Sequence, residues 1–215
     1  MELTARPGQR RQTLRTVVAL AGLTMIGLLA LSSSRAEDPV ANPVPQMATA
    51  QAAAMPRVVY SRYQSTTLKL ADGQTKSVLS LLNIRHKMKF GEYVWDDNGI
   101  AAGDTWIIVD LAGQTMSVFR AGHEIGTAPI LYGADSKPTP VGVFPVLEKA
   151  RDHRSNLYDA DMPFMLRLSW DGVAIHASNV RAGEATHGCI GVPPEFAKRL
   201  FNQVRVGDLV SVTKA

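Results

Sequence analysis

From Trp106 onward, short apolar runs alternate with turn residues at a spacing that predicts antiparallel strands. Trp106 to Asp110 (WIIVD) reads as an apolar strand, Ala112-Gly113-Gln114 as a turn, and Thr115 to Arg120 (TMSVFR) as an alternating strand closed by Ala121-Gly122. His123 to Tyr132 continues as a third strand, completing a meander with short connections. Gly142 to Leu147, Met165 to Ser169 and Val173 to His176 predict further strands, the last two joined by Trp170-Asp171-Gly172 as a tight turn. Near the end the pattern becomes helical: Phe196, Leu200, Phe201 and Val204 share one apolar face, Pro193 and Pro194 suit a first turn, and Gly207 marks the stop. Asp208 to Val212 then closes the chain as a last strand. The fold class predicted is mainly β with one or few helices.

Outside this regular part the pattern weakens. Ser77 to Leu82 (SVLSLL) fits a short helix or a strand, and Gly91 to Trp95 (GEYVW) reads as extended. Residues 58–102 are expected to form a small N-terminal addition packed on a main domain at 103–215. Glu148 to Met162 (EKARDHRSNLYDADM) turns polar amid the strands and predicts a loop of the length used for lids and binding loops. Residues 37–57, rich in Ala, Pro, Gln and Met without periodicity, predict a disordered tether.

The first 36 residues read as an export signal. Arginines precede the apolar run Val17 to Leu31, and Ser34-Arg35-Ala36 puts small residues at the two positions that signal peptidase reads. That run falls short of the roughly 20 residues that cross a bilayer, so cleavage after Ala36 is expected rather than an anchor helix. Arg10-Arg11-Gln12-Thr13-Leu14 leaves both the twin-arginine and the general route open.

Composition sharpens the picture in two places. A net charge of +4 would invite a nucleic-acid partner, but five arginines lie before Glu37, and beyond that point 18 basic residues face 18 acidic ones. The exported part is neutral, which removes nucleic acid from consideration and limits membrane contact to the export signal. The chain has one cysteine, Cys189, which in an exported protein has no intramolecular disulfide partner. It is therefore a buried structural sulfhydryl or a reactive thiol.

The residues around Cys189 decide what a reactive thiol would do. Thiol catalysis requires a sulfur able to lose its proton, a base to take it, and donors for the oxyanion formed at the attacked carbonyl. The segment Ala185 to Pro193 (ATHGCIGVP) offers all three. His187 and Cys189 are two apart, so an extended backbone puts them on one face, with Ile190 turned to the core. His176 ends an apolar strand, and a return loop through 178–185 brings it back beside Cys189. Either imidazole is able to lower the thiol pKa from about 8.5 towards neutrality. Gly188 permits close backbone approach, and the amides of His187, Gly188 and Cys189 are the candidate oxyanion donors. Two other readings of these residues stand beside this one. His176 also fits a core histidine bonded to backbone, and one Cys with two His also fits zinc. Asp152, His153 and His123 follow no metal-ligand spacing, so no metal is expected.

These residues resemble the L,D-transpeptidases with a YkuD-type catalytic domain. The family's hallmark, a strand ending in His followed after a loop by Ser/Thr-His-Gly-Cys, is similar to Ile175-His176 and Thr186 to Cys189. A second element, Thr-Pro-x-Gly-x-Phe, is similar to Thr139 to Phe144, and the likeness extends over about Thr105 to Thr213. The resemblance implies a β-rich mixed sheet, no cofactor, and a two-step acyl transfer on peptidoglycan stem peptides. In it, Cys189 attacks the diamino-acid carbonyl of a tetrapeptide stem and the terminal D-Ala leaves. The thioester then passes to an amine of another stem, giving a 3-3 crosslink, or to water, as in a carboxypeptidase, or to another protein, which is thereby attached to peptidoglycan. The resemblance gives His176 the base role, its ring held by a backbone carbonyl, and leaves His187, Gly188 and Thr186 to shape the site.

The sequence departs from the family pattern at Ala177, at Thr186, which keeps the hydroxyl of Ser, and at Gly191, where many members carry Arg or Asn. Arg181, Arg154 and Arg167 are candidates to replace that polar group at the substrate carboxylate, and Tyr132 and Tyr158 are candidates to line the stem-peptide groove. A non-catalytic wall-binding domain and a zinc hydrolase are the readings from other classes. The former sits poorly with the presence of both Cys189 and His176.

Overall fold

Trp106, Ile107 and Val109 are buried because their strand lies inside a sheet with neighbours on both sides. The computed structural model describes residues 56–61, 66–134, 136–155 and 158–214, which belong to one unit. Among them the chain forms, in order, β1 (Arg57–Val59), β2 (Thr66–Lys69), β3 (Thr75–Val78), β4 (Ser80–Leu82) and β5 (Val94–Trp95). The meander β6 (Thr105–Asp110), β7 (Thr115–Arg120) and β8 (His123–Pro129) follows. The remainder is β9 (Gly142–Pro145), β10 (Glu148–Ala150), β11 (Met165–Arg167), β12 (Ala174–Ala177), β13 (Ile190–Val192), α1 (Pro194–Gln203) and β14 (Leu209–Thr213). The expected export signal and nearly all of the expected tether lie outside the described residues.

The long sheet runs β1-β4-β8-β7-β6-β14-β9 and is mixed: β4 pairs β8 and β14 pairs β6 in parallel, the other neighbours antiparallel. Ala121 and Gly122, both at positive φ (50° and 80°), turn β7 into β8 as a two-residue hairpin. The short sheet, β10-β11-β12-β13, is antiparallel except for the parallel pair β12–β13. Ile107, Val118 and Ile125 of the long sheet, Ile175 and Ile190 of the short one, and Phe196 and Leu200 of α1 belong to one buried cluster. Each such side chain stabilises the fold by about 1.5–3 kcal/mol. α1 is fastened at its C-terminal end by Lys149 of β10, whose ammonium donates to the carbonyls of Phe201 and Val204. The β-rich mixed-sheet class with one helix is the one the sequence predicted.

Three boundaries differ from expectation. Arg57, assigned to the tether, opens β1, where its guanidinium donates to Ser80 Oγ at 3.0 Å and to the Glu124 carbonyl. Glu148–Ala150, assigned to the polar loop, is an edge strand paired, among the described residues, only with β11, so its exposed side need not be apolar. Residues 58–102 give β1, β4 and β5 to the long sheet itself, with β4 and β5 sharing the outer edge of β8.

Candidate active site

The parallel register of β12 and β13 sets Ile175 opposite Ile190 and His176 opposite Gly191. Ile175 and Ile190 point into the core, at 1% and 0% exposure, so the alternation of a strand turns His176 to the other face. One residue before that register pair, Ala174 packs against Cys189. His176 and Cys189 thus meet in one cleft of about 580 Å³, lined also by His153, Tyr158, Met162 and the turn 170–172.

The ring of His176 has a fixed tautomer. Its Nδ1 lies 2.8 Å from the Ala177 carbonyl, which only accepts, so Nδ1 carries the proton and Nε2 keeps its lone pair. Burial pushes the ring below the ordinary value of 6.5; the Ala177 carbonyl opposes this in part, and the nearby His153 adds to it. The imidazole is consequently neutral at pH 7 and able to accept a proton.

Cys189 rests on an apolar floor of Met162, Met165 and Ala174. Burial there pushes its thiol above the ordinary range, against smaller downward pulls from the Ala174 N–H and the charges of Lys137 and Arg167. The expectation of a thiol pKa lowered by a neighbouring imidazole is corrected on this point: desolvation exceeds every stabilising contact of the thiolate. Accordingly Sγ–H is a thiol donor, directed at the Gly172 carbonyl at 3.5 Å.

The backbone before Cys189 is pinned from both sides. Gly188 is buried and has φ +103°, a conformation that side-chain-bearing residues rarely adopt. Its carbonyl accepts from Thr139 Oγ1–H at 3.0 Å, while Thr139 Oγ1 in turn accepts the Gly133 N–H at 2.9 Å. Thr186 donates its hydroxyl to the Cys189 carbonyl and its N–H to the Tyr132 carbonyl. Among the described residues, the N–H groups of His187, Gly188 and Cys189 donate to no turn or loop carbonyl.

The remaining candidates separate clearly. His187 lines the cleft and stacks on Tyr158, with ring centroids 4.5 Å apart and planes 15° apart. Tyr158 lines it too, and its hydroxyl accepts from Lys137 Nζ at 2.8 Å. Tyr132 instead packs its ring against the core. Arg181 is exposed and is not part of the cleft wall, and Arg154 is engaged by Asp159 and Asp161 at 2.8 and 2.6 Å. Arg167 does line the cleft, with its Nε 2.7 Å from Glu148. Gly191 leaves no room for a side chain: a Cβ there would lie 2.8 Å from Ser178 Cβ. Lys137, His153, Trp170 and Asp171 also line the cleft, and sequence reasoning assigned them no part in it. Lys137 was within reach, because it lies two residues before Thr139, where the second motif begins. Among the described residues no group of three or more His, Cys, Asp or Glu side chains is arranged to hold a metal ion.

The chain is 31% identical over 132 residues to L,D-transpeptidase 1 of Mycobacterium tuberculosis, covering 53% of this chain and 53% of that protein. It therefore spans about half the length of this relative. L,D-transpeptidase 2 of the same organism is 26% identical over 116 residues, 46% of this chain and 28% of that one. Among solved structures, an L,D-transpeptidase from Stackebrandtia nassauensis matches with a TM-score of 0.49 and 24% identity, over 53% of this chain and 57% of that chain. The crystal structure of M. tuberculosis L,D-transpeptidase 1 matches with a TM-score of 0.45 and 28% identity, over 51% and 60%. Residues 104–212, a stretch that holds both motifs, the pinned Gly188 turn and the His176–Cys189 cleft, match the family model of the L,D-transpeptidase catalytic domain, and the chain belongs to this YkuD family.

Proposed function

We propose that this chain is an exported, periplasmic L,D-transpeptidase that acts on peptidoglycan tetrapeptide stems through a Cys189 thioester and forms 3-3 crosslinks. The observation that carries the reading is the pairing of a thiol with a neutral imidazole of fixed tautomer in one cleft. Because the resting sulfur is protonated, proton transfer accompanies attack: the thiol leaves the Gly172 carbonyl, His176 Nε2 takes the proton, and sulfur bonds to the diamino-acid carbonyl carbon. The backbone N–H groups of Gly188 and Cys189 receive the oxyanion. Collapse breaks the peptide bond, and the D-Ala amine departs with the proton held by His176. A side-chain amine of a second stem then gives a proton to His176 and attacks the thioester, returning the thiol.

The test is mass spectrometry of the chain cleaved after Ala36, incubated with a carbapenem and separately with disaccharide-tetrapeptide. The expected results are a covalent adduct on the protein and loss of D-Ala from the substrate with crosslinked product. Cys189→Ala is expected to abolish the adduct. Unmodified protein together with unchanged substrate would refute the proposal, and a product that is only trimmed would replace crosslinking with carboxypeptidase action.

A further inference from the structure

The cleft wall carries two permanent cations, Lys137 and Arg167, and they differ in what already holds them. Arg167 is neutralised by Glu148 at 2.7 Å. Lys137 has no carboxylate within ion-pair distance among the described residues; its ammonium uses one donor on the uncharged hydroxyl of Tyr158, 2.8 Å away. Its other N–H donors are exposed at the cleft rim, where the Asp171 carboxylate acts on the charge only at longer range. The side chain is placed rather than merely present. Its Cγ lies 3.7 Å from where a Cβ of Gly188 would stand, so the stem passes over the residue next to the nucleophile. Its far end is fixed by Tyr158, itself stacked on His187. Its charge is felt at the Cys189 sulfur.

We infer that Lys137 is the specificity-determining residue that binds a free carboxylate of the stem peptide lying across Cys189. The inference rests on the proposed function and names a recognition element within it. A stem peptide offers two sources of this one chemistry, the terminal carboxylate of the leaving residue and, where the diamino acid is a diaminopimelate, its side-chain carboxylate. Lys137 is exposed, so the charge-assisted hydrogen bond works partly against solvent and its loss is worth about 10-fold in kcat/KM.

The test compares three donors, the tetrapeptide acid, its terminal amide and its diaminopimelate amide, on the wild-type chain, Lys137→Met and Lys137→Arg. The wild type is expected to lose about 10-fold on one amide, which identifies the carboxylate bound. Lys137→Met is expected to lose as much on the acid, through KM, and nothing further on that amide; Lys137→Arg is expected to restore discrimination. A wild type that turns over acid and both amides at equal rates, or a Lys137→Met that keeps the wild-type discrimination, overturns the assignment while the proposed activity stands. A wild type inert towards every donor overturns both.

Discussion

Thr139→Val removes a single hydroxyl and keeps the volume of a buried side chain. Thr139 is 4% exposed, and its oxygen serves two backbone groups, the N–H of Gly133 and the carbonyl of Gly188. With valine, both are left unpaired in a place water scarcely reaches, at about 1–3 kcal/mol each, of which partial relaxation leaves about 2–4 kcal/mol in total. For a domain of this size the corresponding fall in Tm is roughly 5–15 °C. The Gly188 carbonyl belongs to the peptide unit whose N–H is that of Cys189, so loosening it also displaces the proposed oxyanion donor. Displacements of this kind slow acylation by about 10- to 100-fold. Thermal unfolding and the rate of carbapenem adduct formation measure the two effects separately. Thr139→Ser keeps the hydroxyl and is expected to stay near the wild-type acylation rate. A Thr139→Val protein with unchanged Tm and unchanged acylation would refute the claim that this side chain holds the Cys189 turn.

Because burial raises the Cys189 thiol, alkylation by iodoacetamide is expected to accelerate only above the ordinary thiol range; an inflection near or below neutrality would show a preformed thiolate. His176 must be neutral to act as base and its pKa is depressed, so the acidic limb of acylation is expected below pH 6.5, with rate lost as pH falls through it; a limb above 6.5 contradicts the assigned environment. His176→Ala is expected to slow acylation by at least 100-fold and His187→Ala by less, since His187 contacts Tyr158; the opposite order would move the base to His187. Gly191→Asn brings a Cβ against Ser178 and is expected to cost about 1–3 kcal/mol in chemical denaturation, with Ser178→Gly recovering part of it. Equal stability of Gly191→Asn and wild type would show that the two strands separate there without cost.

The meander and α1 were legible because their signals are local. Alternation in β7, the Ala121-Gly122 turn and the spacing of Phe196, Leu200 and Val204 each need only a few neighbouring residues. The place of β4 was not legible, since its parallel contact with β8 joins Ser80 to His123 and leaves no periodic trace. β10 was hidden by its polarity, which an edge strand tolerates. In the site, the strand ending at His176 and the Thr186 to Cys189 segment announced themselves together. The thiol's pKa was misjudged because Met162 and Met165, which strip water from it, come from the far end of the polar loop and from β11. Arg181, a candidate for the substrate carboxylate, is carried to solvent by the return loop, which its sequence position does not reveal.

The hydrogen bond from Cys189 Sγ to the Gly172 carbonyl bears on how the chain's single thiol endures between reactions. Peroxides attack thiolates far faster than thiols, and the first product, a sulfenic acid, needs a second thiol to be reduced within the same molecule. This chain has no second thiol. In the proposed mechanism the proton stays on sulfur until His176 removes it during attack, so the thiol between turnovers is a poor target for oxidants. The same apolar floor that slows activation thus acts as a preservative of the nucleophile.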